Sequence, residues 1–77
     1  MTPKLDGVFR KAQRILDAGG HYYALEVLDC YREDAEAGRL SAQRLRGFLQ
    51  GLHAAKLFDI CDYDEMDRDI PPATEQN

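Results

Sequence analysis

Seventy-seven residues, a net charge of −4 and two cysteines describe a single small domain. A chain of this length buries only about 60% of the surface its unfolded form exposes, which leaves a modest core and little room for an enzyme-sized cleft. Two cysteines are too few for a disulfide scaffold, no stretch approaches the roughly 20 apolar residues of a membrane span, and the first residues lack the apolar run of a signal peptide. The expectation is a soluble, cytoplasmic protein that carries no cofactor.

In chain order, four helices can be drawn. Thr2 and Pro3 open the first, as N-cap and first helical residue. Leu5, Val8, Phe9, Ala12, Ile15 and Leu16 follow at helical spacing, and Gly19-Gly20 stops the helix. The second carries Ala24, Val27, Leu28, Tyr31 and Ala35 on one face, widened by Tyr23, Leu25 and Cys30, and ends at Ala37-Gly38. So broad an apolar face predicts a central helix with neighbours on two sides. Ser41 caps the third, with Leu40 and Leu45 placed as a hydrophobic staple and Leu45, Phe48, Leu49, Leu52 and Ala55 facing inward. In the fourth, Asp62 is the expected cap with Glu65 three residues on, Met66 and Ile70 face the core, and Pro71-Pro72 ends the helix. The fold class expected is all-α: a small antiparallel bundle of three to four helices over 3–18, 21–37, 42–58 and 63–69. Residues 1–70 form the one domain and 71–77 a frayed tail.

Residues able to do chemistry are present but poorly spaced. His21, Cys30, His53 and Cys61 are zinc-ligand types, yet their separations match no structural zinc pattern, and Cys30 reads as a small buried hydrophobe. The acids from Asp59 onward fail as a calcium loop, because counting from Asp62 puts Met66 at a ligand position and Asp67 at the turn glycine. Ser41 is a cap, and neither cysteine lies in the electropositive setting that makes a reactive thiolate. Gly19-Gly20 lacks the remainder of a phosphate loop. No catalytic residue, metal ligand or cofactor is expected.

The surface is more informative than the chemistry. Residues 59–77 carry a balance of −6, through Asp59, Asp62, Asp64, Glu65, Asp67, Asp69 and Glu75 against Arg68, while residues 1–58 come to +2. The six acids from Asp59 to Asp69 are therefore candidates for docking on a basic partner, with Tyr22 and Tyr23 as aromatic contacts. The competing view is a solvated helix that partly neutralises the basic third helix. Gly47, Gly51 and Ala55 align every four residues. They suit either close packing within the chain or, with Leu57 and Phe58 exposed beside them, the seam of a homodimer. Arg39, Arg44, Arg46 and Lys56 lie on or beside the third helix, after the short glycine-containing turn at Gly38. That arrangement is the basis of a helix-turn-helix alternative, which the overall acidity opposes.

Two resemblances accompany this reading. Residues 49–66, with Leu49, Leu52, Ala55 and Leu57 before Ile60, Tyr63, Glu65 and Met66, loosely resemble the short C-terminal SHOCT domains of bacterial proteins. The resemblance implies oligomerisation or partner docking, and departs where Lys56 stands in place of a glycine stop. The small, acidic, helical composition is similar to that of phage and mobile-element inhibitors, anti-CRISPR proteins among them, which implies nucleic-acid mimicry as one mode of action. The function expected is a non-enzymatic protein-interaction module, a small regulator or inhibitor. DNA binding and oligomerisation are the alternatives.

Overall fold

The computed structural model describes residues 1–71. It contains four helices, α1 (Pro3–Ala18), α2 (Tyr22–Glu36), α3 (Ala42–Ala54) and α4 (Ile60–Arg68), and no strand among the described residues. The fold is all-α, a small bundle with a Cα radius of gyration of 11.5 Å. None of these helices is long and apolar enough to cross a membrane. The frayed tail expected beyond Pro71 lies outside the described residues.

α1 is the centre of the molecule. Its stripe Leu5, Val8, Phe9, Ala12 and Leu16 is buried, Ile15 packs half-buried beside it, and the helix adjoins both α2 and α4. Thr2 caps it, its hydroxyl accepting from the Leu5 N–H at 3.2 Å. α2 does not occupy the central place that its apolar breadth predicts. Only Leu28 and Ala35 are buried, Ala24, Leu25 and Tyr31 are half-buried, and Tyr23 and Cys30 are exposed. Tyr23 and Cys30 fall outside the arc that faces α1, so α2 is a one-sided surface helix. It reaches α3 through Tyr31, whose ring lies 5.3 Å from that of Phe48.

Three helices end in the same hydrogen-bond pattern. After α1, the Gly20 N–H donates to Asp17 and the His21 N–H to Leu16; after α2, Gly38 donates to Ala35 and Arg39 to Asp34. Gly20 and Gly38 adopt φ of 72° and 74°, the left-handed conformation this closure requires. After α3, Lys56 donates to His53 and Leu57 to Leu52, and Lys56 holds φ 68° without being glycine. Lys56 therefore stops α3 at Ala54, four residues short of the 58 that periodicity suggests.

The early stop has two consequences. Leu57 and Phe58 leave the helix and turn into the core, Phe58 to 2% exposure. Asp59, no longer helical, becomes the N-cap of α4 and accepts from the Asp62 N–H at 2.8 Å. α4 thus starts at Ile60, three residues before the expected 63, and Asp59 rather than Asp62 is its cap. A left-handed non-glycine residue costs roughly 1–2 kcal/mol. Lys56→Gly is accordingly expected to raise stability by about 1 kcal/mol, read as a higher urea midpoint at unchanged slope.

Candidate interaction surface

The acidic segment that the sequence singles out is largely engaged within the molecule. Lys11, on α1, reaches across to α4 and pairs with Asp62 at 3.0 Å and with Glu65. Hydrogen bonds to Glu65 and then Asp62 hold its ammonium above the usual lysine range. Arg46, on α3, pairs with the Asp67 carboxylate at 3.0 Å and donates to three backbone carbonyls, those of Ile70 (2.9 Å), Asp67 (3.3 Å) and Pro71 (3.3 Å). A guanidinium there supplies a donor to the Ile70 and Pro71 carbonyls beyond the end of α4, adds one to the Asp67 carbonyl that already accepts from the Ile70 N–H, and complements the helix dipole. With Asp59 a cap, four of the six acidic candidates serve the fold. Of the six, Asp64, 3.9 Å from Arg68 on the same helix, and Asp69, the C-cap residue of α4, are exposed and have no partner from another helix among the described residues.

Other candidates also move. Arg46 is occupied by the end of α4, whereas Arg44, Lys56 and Arg39, the last 3.8 Å from Asp34, remain exposed of the basic set. Gly47 and Gly51 are exposed, and a Cβ at either would meet nothing within 4 Å, so close packing among the described residues is not the reason for the glycine stripe. Ala55 is the exposed C-cap residue of α3, and Leu57 is half-buried against the core. The seam through exposed Phe58 is corrected too, because that ring belongs to the core. Cys30 is exposed, not a buried hydrophobe, and Cys61 is exposed as well; both are free thiols.

His53 is held rather than offered. Its Nδ1 lies 3.0 Å from the Phe58 carbonyl, to which it donates, and its ring stacks on Tyr63 at 4.8 Å. Among the described residues no three His, Cys, Asp or Glu side chains gather so as to hold a metal ion. An open groove of about 560 Å³ runs between the start of α1 and the end of α4, lined by Thr2, Pro3, Lys4, Arg68, Asp69, Ile70 and Pro71. It brings together no nucleophile–base pair.

What remains is the outer face of α2. Tyr22 and Tyr23 are 68% and 80% exposed, and Glu26, Asp29, Glu33 and Glu36 line the same side, all exposed. None of these four carboxylates is in an ion pair among the described residues. The helix holds five acids against one cation, Arg32. That cation turns inward, donating to Gln13 at 3.1 Å and lying 5.5 Å over the Phe9 ring. Sequence reasoning found the two tyrosines and missed the acids, because a balance of +2 over residues 1–58 conceals a local −4 on α2. The signal that could have found them is their spacing, 26, 29, 33 and 36, which puts all four on one helical side.

The same face is poorly arranged for stability. α2 has no side-chain N-cap, no acid in its first turn and no base in its last, where Glu33 and Glu36 oppose the helix dipole. No family model, curated protein or solved structure matches this chain.

Proposed function

We propose that the protein is a non-enzymatic interaction module, a small regulator or inhibitor that binds another protein through the outer face of α2. The observation that carries this reading is the pairing of two exposed tyrosines with four uncompensated carboxylates on one helical side. Exposed tyrosines supply large amphipathic contact area, and the carboxylates steer a basic partner and reject acidic ones. The two free thiols suit a reducing compartment such as the cytoplasm.

The reading relocates the docking surface from α4 to α2, and the two are separable. The tagged protein is used to capture its partner from a lysate of the cells that make it. Tyr22→Ala with Tyr23→Ala is expected to weaken capture at least about tenfold, as loss of paired aromatic anchors does. Asp64→Asn with Asp69→Asn is expected to leave it unchanged. Capture that survives the tyrosine substitutions but fails with the α4 pair would overturn the assignment.

A further inference from the structure

Tyr22, Glu26, Asp29, Glu33 and Glu36 are separated by four, three, four and three residues. Alternating steps of this kind average 3.5 residues per turn and draw a seam almost along the helix axis. At 1.5 Å per residue, the four carboxylates extend over about 15 Å. All are exposed, and the salt bridges among the described residues lie elsewhere. Tyr22 begins the seam, with Tyr23 beside it.

Resting on the reading above, we propose that the occupant of this seam is an α-helix of a partner protein bearing Lys or Arg at the same alternating three- and four-residue steps. A helix repeats at the same rise, so its cations stay in step with the carboxylates from one end to the other. An extended strand offers a same-side residue about every 6.6 Å, so four of its cations span about 20 Å and fall out of register. A second copy of this α2 would set carboxylate against carboxylate, which opposes association. Imitation of a nucleic-acid strand fits less well, since a strand places one phosphate per about 3.4 Å of axis and these carboxylates average about 5 Å. Tyr22 and Tyr23 receive the aliphatic stems and cationic heads at the amino end of the seam.

Two synthetic helical peptides of identical composition test the proposal against the intact protein. One carries four lysines at three-, four- and three-residue steps on one side, with a leucine placed to meet the tyrosines; the other distributes the lysines around the helix. Fluorescence anisotropy at low salt is expected to show the first binding about tenfold tighter. That preference disappears at high salt. It disappears also in the variant combining Glu26→Gln, Asp29→Asn, Glu33→Gln and Glu36→Gln, whose helicity circular dichroism checks. Equal affinities, no binding by either peptide, or a preference that survives in the variant would each overturn the helix. Tyrosine-dependent capture from lysate alongside any of those results removes the helix as occupant and leaves the interaction face standing; loss of both removes both.

Discussion

Phe9→Ala is expected to remove about 3–5 kcal/mol of folding stability. A domain of this length holds about 4–12 kcal/mol in all, so the loss is a large fraction of the total. Phe9 is fully buried at the middle of the stripe of α1, a helix that packs on both α2 and α4. Removing the ring leaves a cavity and strips the surface on which the Arg32 guanidinium rests. The Arg32 Nε atom is buried without a hydrogen-bond partner among the described residues, so the ring and the bond to Gln13 are what hold that side chain in place. Urea unfolding followed by circular dichroism measures the change. Tyr23→Ala, on an 80% exposed residue, serves as control and should stay within about 0.5 kcal/mol of the parent. A loss below about 1 kcal/mol at Phe9 would mean that α1 is not the centre of the fold.

The second large effect concerns a surface-type residue. Arg46→Ala is expected to cost about 2 kcal/mol, far more than Arg44→Ala two positions earlier, which should cost less than about 0.5 kcal/mol. Arg46 is partly exposed, so screening takes most of the Coulomb energy of its pair with Asp67. The remaining cost lies in the carbonyls at the end of α4: those of Ile70 and Pro71 lose the guanidinium donor, and that of Asp67 is left with its backbone donors alone. Arg46→Lys should recover less than half of the loss, since an ammonium cannot fork across acceptors on both sides. The same urea experiment reads all three variants. Equal costs at Arg44 and Arg46 would show that the guanidinium does not hold α4.

Much of the fold is legible in the sequence. Thr2 and Ser41 cap the helices they were expected to cap, with acceptor distances of 3.2 Å at each. Gly20 and Gly38 take the left-handed conformation their place in the sequence implies. The misreadings share a physical origin. Apolar spacing runs unbroken from Leu45 to Phe58, so nothing in the periodicity announces that Lys56 reverses the backbone. Burial of Phe58 and the cap offered by Asp59 support that break, and both are tertiary gains invisible to a local pattern. In α2, Tyr23 and Cys30 are apolar in type but point away from α1.

The interaction surface was legible in part. Tyr22 and Tyr23 were identified and are exposed, whereas the acidic segment drew attention because its charge is contiguous in sequence. Contiguity is a poor guide to availability. Lys11 lies 51 residues before Asp62 and Arg46 lies 21 before Asp67, and folding brings each cation to its acids. Among the described residues the four outward acids of α2 meet no such cation, although they sit within residues 1–58, whose total charge is positive.

Two sets of carboxylates, one structural and one offered outward, are the centre of this account, and urea unfolding of two neutralised proteins separates them. One combines Asp62→Asn, Glu65→Gln and Asp67→Asn; the other combines Glu26→Gln, Asp29→Asn, Glu33→Gln and Glu36→Gln. The α4 set is expected to lower stability by about 2 kcal/mol, through loss of partners for Lys11 and Arg46. The α2 set is expected to leave stability unchanged or raise it by up to about 1 kcal/mol, as like charges and an opposed dipole are relieved. A stable α4 variant beside a destabilised α2 variant would contradict the assignment of both faces.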